Sequence, residues 1–237
     1  MQHPGTTVRC CCAGPARPES LMQRGGHHLE PQGSRATLSA VRWVALILAI
    51  SMDIANAKAT WRRDMRKRRS QQSPLSTAPA VAALLRCPQW QQALVIASYS
   101  PLNSEQSPSL IDSAATRAGK RLVYPRVLAD GTMVFKAPGA GDGFVKDDHG
   151  VPAPPEKAET VDASDIDLFI VPLLACDDTG IRLGYGGGYY DRQLSLSAGF
   201  RCGLGYGMQR VSELPAEAHD ARLHGFLSEH GLEYFEW

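Results

Sequence analysis

The groups most able to do chemistry are concentrated in Gly180-Ile181-Arg182-Leu183-Gly184-Tyr185-Gly186-Gly187-Gly188-Tyr189-Tyr190-Asp191-Arg192. Four glycines within five positions let the backbone turn through positive φ and approach a ligand with no Cβ atoms in the way. Such a loop can aim several amide N–H groups at one anion, and phosphate is the expected one. A glycine run alone also marks linkers and tight turns. The flanks favour a ligand site. Residues 165–172 read as a buried strand closed by proline and residues 189–196 as a helix, and α/β proteins hold ligands where strands end in such loops. The pattern is not a Walker A loop, because no Lys-Ser/Thr follows the last glycine. Nor is it a dinucleotide fingerprint, since Tyr-Tyr-Asp-Arg replaces the small residues that pack a Rossmann helix.

This thirteen-residue run, Gly-x-Arg-Leu-Gly-x-Gly-x-Gly-Tyr-Tyr-Asp-Arg, resembles the signature of the 5-formyltetrahydrofolate cyclo-ligase family, also called 5,10-methenyltetrahydrofolate synthetases. The resemblance extends over roughly residues 55–230. It implies a three-layer α/β/α fold with a mixed, largely parallel sheet. It also implies an ATP- and Mg²⁺-dependent ring closure of 5-formyltetrahydrofolate to 5,10-methenyltetrahydrofolate, with ADP and phosphate released. In that scheme the formyl oxygen attacks the γ-phosphoryl group, N10 adds to the activated carbon, and phosphate leaves. Phosphoryl transfer demands positioning and charge neutralisation more than covalent help from the protein. No lysine or cysteine is placed as an obvious nucleophile, which agrees.

By the same resemblance Lys58, Arg62, Arg182, Gly184, Gly186, Gly187, Gly188, Tyr189 and Tyr190 bind ATP, and Arg182, Tyr190 and Asp191 are catalytic. Ser100, Glu105, Tyr185 and Tyr189 take the folate, and Asp191 and Asp220 hold Mg²⁺ through hard oxygen ligands. Each residue has a plainer reading. The tyrosines could be core, Asp191 and Glu105 could be favourable acids in first helical turns, and Asp220 could be a turn residue. A small-molecule substrate, no nucleic-acid or membrane partner, a monomer and a cytoplasmic location complete the expectation.

The elements that must position these groups can be read along the chain. Formal charge is +1 overall, but residues 57–69 carry seven Lys/Arg and one Asp, whereas residues 70–237 carry thirteen basic and twenty acidic residues. A local basic patch on an acidic body points to a discrete anionic ligand rather than a nucleic-acid coat. Residues 53–69 read as an amphipathic helix: Ile54, Ala57, Trp61 and Met65 face the core, and Lys58, Arg62, Arg66 and Arg69 form an adjacent stripe. Lys58 and Arg62 match the family's opening Lys-x-x-x-Arg; Arg66 and Arg69 match it less closely. A solvated basic face is the alternative for that stripe.

Residues 1–40, with Cys10-Cys11-Cys12 and no apolar period, are expected to be disordered. The remaining cysteines, Cys87, Cys176 and Cys202, are scattered and suggest neither a metal cluster nor a disulfide framework. The apolar run in residues 41–52 is too short to span a bilayer. It is read as a signal-peptide core, a presequence, or a segment outside the mature protein with the start at Met52; the last is favoured. The folded domain is therefore expected over residues 53–237, with 1–52 a disordered or non-native extension.

Helices are further expected over residues 76–86 and 108–118, and strands over 93–99, 120–127, 132–136 and 200–206, with one or two short strands after 223. Residues 137–164 read as loop. Ala153 stands where the family pattern has an acid, and Cys176 is a second departure. These departures leave a catalytically inactive folate- or nucleotide-binding protein as one alternative, and a nucleic-acid-binding protein using the basic helix as another.

Overall fold

Leu168, Phe169, Ile170 and Val171 are all buried, as a central strand of a covered sheet requires, and the computed structural model is laid down on both sides of them. It describes residues 34–73 and 75–236. Contacts divide the chain into two units, residues 1–45 and 46–237. The described part of the first is the opening of helix α1 (Ser34–Ser70), where Trp43 and Val44 are exposed.

In the second unit α1 is followed by α2 (Ala78–Leu84), α3 (Pro88–Gln92), β1 (Val95–Ala97), α4 (Ser109–Arg117), β2 (Arg121–Val127), β3 (Met133–Ala137), β4 (Val145–Lys146), β5 (Pro152–Ala153) and β6 (Glu159–Val161). Then come β7 (Leu168–Pro172), β8 (Ala175–Cys176), β9 (Arg182–Leu183), α5 (Tyr189–Leu194), β10 (Phe200–Leu204), β11 (Gly225–Ser228) and β12 (Gly231–Tyr234). Eight strands form one sheet in the order β12-β11-β10-β7-β1-β2-β3-β6. The five central strands are parallel, and β12, β3 and β6 pair antiparallel at the two ends. Side-chain alternation sends Leu168 and Ile170 to one face, against Leu84, Trp90 and Ile111 of α2, α3 and α4. Phe169 and Val171 go to the other, against Phe135, Phe226 and Leu194 of α5. Helices on both faces make the expected three-layer α/β/α fold with a mixed, largely parallel sheet. Met65 of α1 packs on Leu174, Ala175, Ile181 and Leu183 around the β8–β9 hairpin.

Three expectations shift. Helix α1 begins at Ser34 rather than near Asp53, because residues 34–70 contain no glycine or proline to stop it. Residues 34–40 are therefore helical, and residues 1–33 lie outside the described residues. Helix α3 was not anticipated. The Cys87-Pro88 pair that closes one helical stretch also opens this one, with Pro88 in its first turn and Cys87 Sγ accepting from Trp90 N. The loop-rich 137–164 segment holds β4, β5 and β6, strands of two or three residues that are too short to show a period. No helix among the described residues is long and apolar enough to cross a membrane.

Candidate functional site

The glycine loop does not follow the central strand directly. The β8–β9 hairpin intervenes, so Arg182 is a strand residue, 6% exposed, rather than part of the loop. Asp177 fastens the hairpin turn: its carboxylate accepts from Thr179 N, Ile181 N and Leu214 N at 2.9, 3.0 and 3.1 Å. The loop then leaves β9 and needs two left-handed positions, Gly186 at φ 106° and Gly188 at φ 65°, the second capping α5. A Cβ at Gly186 would come 3.2 Å from Arg62 Cζ. Three of the loop's carbonyls are already engaged. Arg62 Nε donates to Gly184 O (3.0 Å), Arg192 Nη1 to Gly187 O (3.2 Å) and Arg192 N to Gly188 O (3.2 Å). The backbone N–H groups of residues 184–188 make no hydrogen bond within the described residues. The loop is thus arranged to offer donors to an anion.

Beside it lies a group of charges that the sequence places far apart. Lys58, buried on α1, donates to Glu217 Oε2 at 2.8 Å and to Asp220 Oδ1 and Oδ2 at 2.9 and 2.7 Å. Donation from Lys58 holds the Glu217 carboxyl below its ordinary range. Glu217, His219 and Asp220 bring one ligand atom each within 4.8 Å of one another. Asp191 accepts from Arg182 Nη2 at 2.9 Å and from Ala221 N at 3.3 Å, which ties α5 to the Asp220 segment. The structure therefore modifies the expected roles. Lys58 faces carboxylates, Asp191 is paired with Arg182, and the three-residue cluster that could take a metal gathers Glu217 and His219 around Asp220, without Asp191. The Lys58 ammonium occupies the space between Glu217 and Asp220, so a hard divalent ion held by these oxygens would take its place.

On the opposite wall, the chain leaving β1 makes a tight turn at Asn103 (φ 52°). Glu105 closes that turn by accepting from Leu102 N at 2.7 Å, while Glu105 N donates to Leu102 O at 3.0 Å. Burial pushes the Glu105 carboxyl up; the Leu102 N–H, the Tyr185 hydroxyl and the Arg69 guanidinium oppose it. Tyr190 Oη is buried with no partner among the described residues, and desolvation, with the nearby Glu105 charge, pushes its phenol up. Arg182 Nε is likewise unpartnered, and its guanidinium lies 5.6 Å from the Tyr190 ring centre. Tyr189 Oη meets His149 Nε2 at 3.0 Å. His149 comes from the β4–β5 hairpin, whose turn is held by Asp147 accepting from His149 N and Val151 N, both at 2.9 Å.

These walls enclose a cavity of about 440 Å³. All the sequence-derived positions line it: Lys58, Arg62, Ser100, Glu105, Arg182, Gly184, Tyr185, Gly186, Gly187, Gly188, Tyr189, Tyr190, Asp191 and Asp220. Asp147, His149, Glu217 and His219 line it as well and were not singled out. Glu217 and His219 stand within Leu214-Pro215-Ala216-Glu217-Ala218-His219-Asp220, beside the expected Asp220, a signal present in the sequence; His149 and Asp147 sat in what read as loop. Of the basic stripe, Lys58 and Arg69 turn inward and are buried, while Arg66 is exposed. The two departures, Ala153 in β5 and Cys176 in β8, are fully buried and do not line the cavity.

Residues 54–229 match a family model described as the 5-formyltetrahydrofolate cyclo-ligase family. Among curated proteins, the 5-formyltetrahydrofolate cyclo-ligase of Haemophilus influenzae is 40% identical over 67 residues, 27% of this chain and 36% of that protein. The protein of the same name from Escherichia coli K12 is 27% identical over 150 residues, 61% of this chain and 82% of that protein. The one from Mycolicibacterium smegmatis is 29% identical over 140 residues, covering 54% and 70%. Two solved structures share the fold. The Aquifex aeolicus 5,10-methenyltetrahydrofolate synthetase superposes with a TM-score of 0.67 at 24% identity, covering 76% of this chain and 93% of its own. The 5,10-methenyltetrahydrofolate synthetase from Mycoplasma pneumoniae gives 0.57 at 22% identity, covering 73% and 98%.

Proposed function

The chain belongs to the 5-formyltetrahydrofolate cyclo-ligase family, and from that premise we propose that it closes 5-formyltetrahydrofolate to 5,10-methenyltetrahydrofolate with MgATP, releasing ADP and phosphate. The observation that carries this reading is a single cavity in which Glu105, the donor-rich glycine loop and the Glu217–His219–Asp220 group face one another. The reaction needs those three surfaces: one for a hydrogen-bonding heterocycle, one for a triphosphate, one for its cation.

Glu105, as a carboxylate, accepts hydrogen bonds from the pterin's amino and ring N–H groups. Ser100, Tyr185 and Tyr189 position the rest of the folate. The amides of residues 184–188, with Arg62, hold the phosphates, while Lys58 stays with Glu217 and Asp220. Arg182, with one N–H face committed to Asp191 and Nε unpartnered, stands ready to stabilise negative charge as the γ-phosphoryl group moves to the formyl oxygen. Glu217, His219 and Asp220 are the residues that would hold Mg²⁺, and the ion when bound neutralises phosphate charge. The aromatic wall of Tyr189 and Tyr190 excludes water from the activated formyl carbon. The binding-only alternative rested on Ala153 and Cys176, and neither faces the cavity.

The test is absorbance near the methenyl-folate band, with 5-formyltetrahydrofolate, MgATP, the full chain, a chain starting at Met52 and an Asp191→Ala control. A rise that requires ATP and Asp191 is the expected result. A folded full chain that binds folate and nucleotide but gives no rise would overturn the ligase reading and leave a binding protein.

A further inference from the structure

Arg69 is 2% exposed, on the same stripe as the half-buried Arg62 and the exposed Arg66. Its guanidinium is spent on three segments at once. Nη1 donates to Leu173 O at 3.1 Å, just past the end of β7, and Nε donates to Ser104 Oγ at 3.2 Å in the β1–α4 connection. Nη2 donates to Tyr185 Oη in the glycine loop. Nη1 also lies 4.0 Å from Glu105 Oε1, next in sequence to the Ser104 that accepts from Nε. Arg69 is therefore a hub: one guanidinium holds the phenol of the glycine loop and the Ser104–Glu105 segment at the same time. A buried guanidinium with this many partners is costly to assemble from water, and such networks are strong only when every member is satisfied.

We infer that Arg69 is a positioning residue that fixes the Glu105 carboxylate against Tyr185, so that the folate wall and the nucleotide loop of the cavity are set by one buried cation. The inference rests on the proposed ligase reading for the identity of the ligands, not for the geometry. It has two consequences. Glu105 keeps one orientation at the folate wall, and the Arg69 charge opposes the rise that burial imposes on its carboxyl. The groups facing Glu105 are Arg69 from α1, Tyr185 from the glycine loop, Tyr99 from the end of β1 and Tyr190 from α5. Among these Arg69 is the one permanent positive charge. Removing it leaves a buried carboxyl that keeps its proton to higher pH, and a protonated Glu105 can no longer accept two hydrogen bonds from the pterin edge.

The experiment compares the wild-type chain with Arg69→Met, Arg69→Lys and Tyr185→Phe, reading KM for 5-formyltetrahydrofolate and kcat separately across roughly pH 5 to 9. For Arg69→Met the folate KM rises about tenfold or more while kcat falls less. The acid limb of kcat/KM moves to higher pH. Arg69→Lys restores the position of that limb but not the KM, since an ammonium supplies charge without the fork. Tyr185→Phe removes the phenol that accepts from Arg69 without burying a bare charge, and shifts KM in the same direction. A folded Arg69→Met or Tyr185→Phe protein with unchanged folate KM and an unmoved acid limb overturns the inference. Calorimetric titration of 5-formyltetrahydrofolate into the same proteins reads the same loss without turnover, so failure of the ligase reading leaves the Arg69 link decidable.

Discussion

Lys58 Nζ lies 2.7 Å from Asp220 Oδ2 across 162 residues of sequence, and the side chains of both are 7% exposed. This contact brings the opening helix of the folded region and the segment that follows β10 to the same wall of the cavity. It also explains why Lys58, unlike the exposed Arg66, is not part of a free basic surface. A charge taken this far out of water requires a partner, and Lys58 has two in Asp220 and Glu217.

Asp220→Ala removes the more buried of those partners and a proposed Mg²⁺ ligand. Breaking a buried pair costs about 3 kcal/mol, toward the low end of the usual range because Glu217 still faces the ammonium. Turnover with MgATP falls by about a hundredfold or more, as loss of a charge-positioning group does. Thermal unfolding and initial rates at saturating folate check both; an unchanged midpoint together with an unchanged rate would contradict the placement.

Glu217 has its carboxyl held below the ordinary value of 4.5 by donation from Lys58. A depressed acid contributes stability that is complete above its unfolded value and is lost as pH falls through the folded one. The pairing therefore steepens the acid side of the stability curve below pH 4.5. Glu217→Gln is expected to flatten that side and to lower stability at neutral pH. Denaturant midpoints from acid to neutral pH provide the measurement, and parallel curves for the two proteins would refute the linkage.

Glu105 works in the opposite sense. Its folded-state value is raised, chiefly by burial, so its contribution favours the fold below the unfolded value and turns unfavourable as pH rises through the folded one. At neutral pH Glu105→Gln should leave the melting midpoint unchanged or higher while weakening 5-formyltetrahydrofolate by about tenfold or more, the loss expected when a charged acceptor is removed. A lower midpoint with unchanged affinity would reverse the assignment.

Gly186→Ala tests the loop geometry. The residue sits at φ 106°, and an added Cβ meets Arg62 Cζ at 3.2 Å. The backbone strain costs about 1–3 kcal/mol. Displacing Arg62 also disturbs its bond to Gly184 O, so KM for ATP rises more than KM for folate. Equal rises in both would count against a nucleotide role for the loop.

The sequence by itself determined the fold class and most of the cavity. The signature of residues 180–192 encodes a local backbone shape, and a run of glycines and adjacent aromatic and charged residues keeps that meaning whatever surrounds it. The central strand was legible because four consecutive buried apolar residues suit few other places, and the helix of residues 53–69 because its apolar residues recur at helical spacing. What only the tertiary structure decided was which charge faces which. Lys58 and Arg69 occupy the same helical stripe, yet one meets carboxylates of the Asp220 segment and the other reaches Ser104, Leu173 and Tyr185. Their partners lie 35 to 162 residues away. His149 and Asp147 were invisible for a related reason: a hairpin of two-residue strands has no period to read, and its tip acquires a role only when the chain brings it to Tyr189. Local patterns fix local shape because backbone sterics act between neighbours. The pairing of buried charges is settled by desolvation, which no residue meets until the whole sheet has closed around it.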